Sequence, residues 1–175
     1  MTEEFELTFL IKELPENFSL EETPFKEILD IYLPTVSDHA ILRIRKQGEV
    51  FEITKKTPVS GTDSSHQNEN TIPLSKEEFE ELSALPGKRV RKIRYYYTEN
   101  DTAYEIDIFQ DSLQGLILVD VEFTSHVEKE NFVAPNWALA DITQEKFTAG
   151  GVLAGKSYKD IETSLAQYSY EKLLF

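Results

Sequence analysis

Five like-charged pairs, each spaced two residues apart, mark where this chain could do chemistry: Glu4/Glu6, Arg43/Arg45, Lys92/Arg94, Glu105/Asp107 and Asp120/Glu122. The residues between and beside them are mostly apolar: Phe5 and Leu7, Ile44, Ile93, Ile106 and Ile108, Val119 and Val121. Side chains at i and i+2 share one face of a β-strand, so these segments carry charge on one face and apolar groups on the other. Like charges about 6–7 Å apart repel mildly in water and strongly in a dry cavity. A ligand of opposite sign between them would relieve that repulsion. The acids Glu4, Glu6, Glu105, Asp107, Asp120 and Glu122 offer oxygen ligands to a hard divalent cation such as Mg²⁺ or Mn²⁺. The bases Arg43, Arg45, Lys56, Lys92 and Arg94 offer donors to phosphate oxygens. Glu52, Thr54 and Lys56 share one face of their own segment. The competing reading is a solvated sheet face dressed with ordinary cross-strand ion pairs, which stabilise little when exposed.

The elements that must position these groups are strands. Eight strand-like segments run over about 3–11, 26–33, 40–47, 49–57, 66–72, 89–98, 103–110 and 116–124. Gln47-Gly48, Asn100-Asp101 and the stretch Asp111–Gly115 read as hairpin joins, which suit an antiparallel sheet and not βαβ units. Ser75 with Glu78 forms a capping box that opens a helix ending at Pro86-Gly87. Ser125 with Glu128 opens a short one, and Ser157 with Asp160 caps a C-terminal helix over about 157–173. The polar stretch from Pro58 to Asn70 reads as a mobile loop leading into the fifth strand. The fold class is α+β. Its strands form either an open sheet with a wet charged face or a closed barrel with a polar lumen and helices packed outside.

At 175 residues the chain is expected to be a single domain, with a core over about 3–155. Its net charge of −14 and lack of any Lys/Arg run disfavour nucleic acid and anionic membranes as partners. No apolar run reaches the roughly 18–20 residues of a membrane helix. The acidic start lacks the apolar segment of a signal peptide, so cytoplasm is the expected location. Cysteine is absent, which excludes disulfides, thiolate metal sites and a cysteine nucleophile. Monomer and homodimer both remain open.

One motif misleads. Gly150-Gly151-Val152-Leu153-Ala154-Gly155-Lys156-Ser157 matches the phosphate-loop pattern G-x-x-x-x-G-K-[ST]. That loop must follow a buried parallel strand and be followed by another that supplies an aspartate for magnesium. Neither condition holds, so the segment reads as a glycine-rich turn before a Ser-capped helix. His39, His66 and His126 are scattered and support no zinc helix, His66 reads as solvated, and Trp137 reads as a packing residue.

These segments, taken in order, resemble the CYTH superfamily, the triphosphate tunnel metalloenzymes. Glu4-Phe5-Glu6-Leu7-Thr8 is similar to its E-x-E-x-K signature. Leu42-Arg43-Ile44-Arg45 with Thr54-Lys55-Lys56 resembles its L-R-x-R and T-x-K hairpin. Lys92-Ile93-Arg94-Tyr95, Tyr104–Phe109, Val119–Phe123 and Asp141-Ile142-Thr143 follow in the family's order. The resemblance implies an eight-stranded antiparallel tunnel, a small triphosphate or polyphosphate ligand and Mg²⁺ or Mn²⁺. It places Glu4, Glu6 and Glu122 on the metal with Asp107 and Asp120 nearby, and Arg43, Arg45, Lys56, Lys92 and Arg94 on the phosphates. Thr8, Glu52, Thr54, Glu69 and Glu105 would complete the tunnel wall. The implied activity is metal-dependent triphosphate hydrolysis. The alternatives are a non-catalytic polyphosphate binder and, third, ATP cyclisation. The chain departs from the family at Thr8 in place of the signature lysine, at Gln67 and Ser65 in place of an acid and an arginine, and at Phe147-Thr148 in place of Arg-Tyr. Each departure removes a charge, and each lost charge-assisted contact would weaken triphosphate binding by about 1.5–3 kcal/mol.

Overall fold

The computed structural model describes residues 2–175. Nine strands form one antiparallel sheet: β1 (Thr2–Ile11), β2 (Phe25–Leu33), β3 (Leu42–Gln47), β4 (Val50–Pro58), β5 (His66–Pro73), β6 (Lys88–Glu99), β7 (Thr102–Phe109), β8 (Ile117–Phe123) and β9 (Ala138–Asp141). Their order is β5-β4-β3-β2-β6-β7-β8-β1-β9, and a further pairing of β5 with β1 closes the first eight into a barrel. Closure leaves these eight with no open side and encloses the inward-facing residues. The open-sheet alternative is thereby excluded.

Tight joins fix the register. Gly48 turns β3 into β4 at a φ of +58°, a conformation that favours glycine. Asn100 and Asp101 do the same between β6 and β7 with φ of 49° and 63°. The resulting partners place charge beside charge: Glu6 opposite Glu122, Arg94 opposite Asp107, Arg45 opposite both Glu52 and Asp30, and Lys56 opposite Glu69, while the neutral Thr8 stands opposite Asp120.

The strand β9 is a surprise to the sequence reading. Four residues of modest alternation give too weak a pattern to separate from a loop. It shares one edge of β1 with β5: β5 pairs with Thr2–Phe5, and β9 with Phe9–Ile11. Between them the Thr8 N–H donates to Thr143 Oγ1, and the Thr8 carbonyl accepts from the Ile142 N–H. The segment after β9 is thus held against the barrel wall at Thr8.

Apolar groups sit outside the barrel and at one end of it. Helix α1 (Lys76–Ser83), with Ser75 and Glu78 forming the expected capping box, lays Phe79 on Ile31 and Ile44. A second cluster joins Phe9, Tyr95, Tyr104, Ile106, Val119 and Trp137 across β1, β6, β7 and β8. Trp137 is a packing residue there, and its indole N–H donates to Glu99. Helix α2 (His126–Glu130) follows Ser125 as expected. The third cluster gathers Leu10, Tyr32, Phe109 and Leu118 at one end of the barrel, with Leu153 of α3 (Gly150–Leu153) and Ile161 and Leu165 of α4 (Tyr158–Ala166). Leu10, Tyr32 and Phe109 lie two residues after Thr8, Asp30 and Asp107, and Leu118 lies two residues before Asp120 on the antiparallel β8, so the lumen passes from polar to apolar.

Three local expectations are corrected. The glycine-rich stretch is a short helix, and not a plain turn, because Gly150 and Gly151 pack directly on Tyr32 and Ala40. The C-terminal helix ends at Ala166 and does not run to 173. Ser169 takes a φ of 57°, and Tyr170 turns back so that its hydroxyl bonds the Gly115 carbonyl and the Ile117 N–H. The polar stretch 58–65 is anchored: Asp63 accepts from the Ser65 N–H and hydroxyl and from Gln144, and Gln144 accepts from the Ser64 N–H.

Candidate functional site

A cavity of about 620 Å³ runs through the polar lumen. Every sequence-predicted site residue lines it: the bases Arg43, Arg45, Lys56, Lys92 and Arg94, the acids Glu4, Glu6, Asp107, Asp120 and Glu122, and Thr8, Glu52, Thr54, Glu69 and Glu105. Strand alternation explains this. Charged positions of one parity point inward, and the apolar positions between them point to the outer clusters.

One subset of acids stands close. Carboxylate oxygens of Glu4, Glu6 and Glu122 lie within 4.8 Å of one another. Glu4 and Glu6 come from β1, and Glu122 faces Glu6 across the β1–β8 pair. Burial, together with Glu105, Glu4 and Glu6 nearby, raises the pKa of Glu122 from 4.5 to about 7. Burial and Glu6 raise Asp120 from 3.8 to about 6, against the pull of Arg94. Carboxylates brought this close repel one another, and a cation between them would relieve that repulsion. Three oxygens from separate carboxylates suit Mg²⁺ or Mn²⁺, which complete their shells with water and phosphate.

Asp107 and Asp120 do not join that cluster. Asp107 is 1% exposed and is engaged by Lys92 and by Arg94, whose Nε and Nη2 reach its two oxygens at 2.7 and 2.6 Å. Burial would raise its pKa, but Arg94 and Lys92 hold it below the usual range. Asp120 accepts from Arg94 Nη2 at 3.0 Å and from the Thr8 hydroxyl at 2.8 Å. Arg94 also meets Glu105. These carboxylates orient cations, and the sequence pattern alone cannot separate that role from metal ligation.

The opposite wall is basic. Arg45 donates from Nε and Nη2 to the two oxygens of Asp30 at 2.6 and 2.8 Å, a paired fork. Asp30 is 2% exposed; burial opposes its charge, yet Arg45 and Arg43 hold its carboxyl well below the usual carboxylate range. Arg43 lies 3.9 Å from Asp30 and 3.7 Å from Glu52, beyond hydrogen-bond reach, and its buried Nε has no hydrogen-bond partner among the described residues. Lys56 bridges Glu4 at 2.5 Å and Glu69 at 3.3 Å. Burial works against its ammonium, but Glu6 and Glu4 raise its pKa, so it stays charged. The Thr54 hydroxyl meets Thr71, which donates to Glu69.

Sequence reasoning missed Asp30, and a signal for it existed. A lone aspartate inside Ile28-Leu29-Asp30-Ile31-Tyr32 has no water to face, so it must meet a cation. Tyr32, His39 and Lys146 also line the cavity, and no local pattern marks them. His66 is only partly solvated: it stacks on Phe5 with ring centroids 4.4 Å apart and bonds Glu3. At the departures from the family pattern, Ser65 is buried and receives Lys129 Nζ at 2.5 Å, while Gln67 lines the cavity and donates to the Ser64 carbonyl. Thr148 is buried, and Phe147 packs against the end cluster.

No family model matches the chain. Among known proteins it is 34% identical over 145 residues to an inorganic triphosphatase of Nitrosomonas europaea, an alignment covering 82% of this chain and 91% of that one. The crystal structure of an inorganic triphosphatase superposes with a TM-score of 0.62 at 29% identity, covering 89% of this chain and 97% of that chain. A candidate adenylate cyclase of Bacillus halodurans shares the fold with a TM-score of 0.55 at 15% identity, over 100% of this chain and 95% of that one. The closed eight-stranded tunnel, its two charged walls and these likenesses agree: the chain belongs to the CYTH superfamily, the triphosphate tunnel metalloenzymes.

Proposed function

We propose that this tunnel is a divalent-metal-dependent triphosphatase acting on inorganic tripolyphosphate or an organic triphosphate, with Mg²⁺ or Mn²⁺ held by Glu4, Glu6 and Glu122. One observation carries the reading. The oxygens of those three acids lie within 4.8 Å of one another in the same cavity as Arg43, Arg45, Lys92 and Arg94. The curated relative and the solved structure named as inorganic triphosphatases support the choice of reaction.

Bound at the acid triad, the cation would neutralise phosphate oxygens and make the terminal phosphorus more electrophilic. The protein's own groups do the rest. Arg43 holds neither Asp30 nor Glu52 at hydrogen-bond distance, so its guanidinium stays available to a phosphate oxygen. Arg45 and Arg94 are held by Asp30 and Asp107, so their orientation is set before substrate arrives. Fixed donors around the transferring phosphoryl group stabilise charge that spreads over its oxygens in a loose transition state. Water is the nucleophile and is oriented by a carboxylate of the acidic wall. The bridging P–O bond breaks, a P–O bond to water forms, and the water's proton leaves to solvent or to the departing phosphate.

A non-catalytic binder is the second reading, and Thr8 is the observation that favours it. Its hydroxyl serves Asp120 where the family pattern has a lysine. The test is phosphate release from tripolyphosphate, ATP and thiamine triphosphate with Mg²⁺ and with Mn²⁺. Turnover of at least one substrate, lost in Glu4→Gln and Glu122→Gln, is expected. Tight binding of tripolyphosphate with no turnover by folded protein would replace hydrolysis with the binding reading.

A further inference from the structure

Lys146 is the one lysine or arginine lining the cavity that has no carboxylate within 4.0 Å among the described residues. His39, which precedes β3 and its Arg43, lines the same cavity. Burial and the Lys146 ammonium lower the pKa of His39, so the ring is neutral at pH 7 and the two groups lie within each other's field. Arg43 lines the same cavity and stands opposite Tyr32 in the β2–β3 pair, and Tyr32 packs on Gly150, just after Lys146 in the chain.

The turn that carries Lys146 is clamped on both sides. Before it, Thr143 accepts from the Thr8 N–H, and Gln144 bonds Asp63 and Ser64. After it, Gly150 and Gly151 approach Tyr32 and Ala40 so closely that a Cβ would lie 2.1 Å from the Tyr32 hydroxyl and 1.9 Å from the Ala40 carbonyl oxygen. Lys146 is exposed on a fixed turn at the wall of a cavity whose other lysines and arginines each stand within 4.0 Å of a carboxylate among the described residues, so its ammonium is free to meet an anion.

We infer that Lys146, with His39 and Arg43, forms a phosphate subsite at the end of the cavity away from the acid triad, and that it reads the far end of a linear phosphate chain. The inference rests on the triphosphatase reading. It also accounts for Thr8: the cation missing from β1 is supplied from the turn docked against Thr8. The turn meets β1 at Thr8, and the triad uses Glu4 and Glu6. At about 3.3 Å per residue the two levels are roughly 7–13 Å apart, a span for a chain of three or more phosphates and not for two.

The test compares Lys146→Gln with Lys159→Gln, which removes the same charge from the exposed face of α4. Tripolyphosphate and pyrophosphate are titrated calorimetrically into each protein with Mn²⁺, and KM and kcat for tripolyphosphate are measured alongside. For Lys146→Gln, Kd and KM for tripolyphosphate rise about tenfold, the low end for one charge-assisted contact, with kcat within twofold. Pyrophosphate affinity and the Lys159→Gln protein are unchanged. The subsite is wrong if Lys146→Gln binds tripolyphosphate like the parent, if Lys159→Gln weakens it equally, or if pyrophosphate loses as much. A parent protein that binds but never hydrolyses tripolyphosphate would defeat the triphosphatase reading alone, since the calorimetric comparison still decides the subsite.

Discussion

At the scale of single residues, two carboxylates set the pH response. Asp120 and Glu122 have folded pKa values of about 6 and about 7, above their ordinary 3.8 and 4.5. A raised carboxylate contributes stability while it is protonated, and that contribution is lost as pH rises through the folded value. Asp30 and Asp107, with lowered values, act the other way and only in more acidic solution. Between about pH 5 and 8 the metal-free protein should therefore lose stability through its acidic wall. A cation at the triad offsets that loss. The rise in melting temperature produced by Mn²⁺ should be small at pH 5 and large at pH 8, and flat across this range in Glu122→Gln. Scanning calorimetry at both pH values checks it; an equal Mn²⁺ shift at pH 5 and pH 8 would contradict the assignment. The Asp30–Arg45 fork gives a second residue-level prediction. Asp30→Asn leaves Arg45 buried beside a neutral amide, and removing one partner of such a pair costs about 3–5 kcal/mol. Urea denaturation reads this directly, and a loss under 1 kcal/mol would mean the cavity solvates Arg45. The positions of the charged pairs were legible in the sequence because alternation assigns every i, i+2 pair to one face. Which acids cluster with one another and which meet arginine was not legible, since register decides it: Asp107 stands opposite Arg94, and Glu122 opposite Glu6.

Elements explain what holds the site in place. The strand β1 carries Glu4, Glu6 and Thr8 and has its outer edge divided between β5 and β9. Its first half closes the barrel, and its second half docks the turn bearing Lys146. Gly151 is the tightest point of that docking, against the backbone carbonyl of Ala40. A backbone contact of this kind cannot yield as a flexible side chain would. Gly151→Ala should cost about 1–3 kcal/mol through overpacking and weaken tripolyphosphate binding with it. Wild-type stability and affinity in that variant would show that the turn has slack. The eight barrel strands and the Ser-capped helices were legible from alternation, hairpin residues and capping boxes. The strand β9, the short α3 and the end of α4 at Ala166 were not, because tertiary contacts decide them: the edge of β1, the Tyr32–Ala40 surface and the Tyr170 hydroxyl bonds.

The whole molecule carries a net charge of −14 and encloses an acidic cavity lined by ten carboxylates and six lysines or arginines. Protons on Asp120 and Glu122 reduce that excess without reversing it. Such a cavity repels a polyanion, even with five of the six cations on β3, β4 and β6, where β2 separates β3 from β6. A divalent cation held, as proposed, by Glu4, Glu6 and Glu122 would shift that balance toward accepting a phosphate chain. Metal dependence thus follows from the charge of the enclosed space, ahead of any role in the chemical step. Among the described residues no helix is long and apolar enough to cross a membrane, and α1 packs on Ile31 and Ile44 outside the barrel. The most direct measurement is a calorimetric titration of tripolyphosphate into the protein, first with chelator and then with Mn²⁺. The account predicts no detectable binding with chelator, saturable binding with Mn²⁺, and loss of the Mn²⁺-dependent binding in the Glu4→Gln/Glu122→Gln double variant. Equal binding with chelator and with Mn²⁺, or undiminished binding by the double variant, would contradict it.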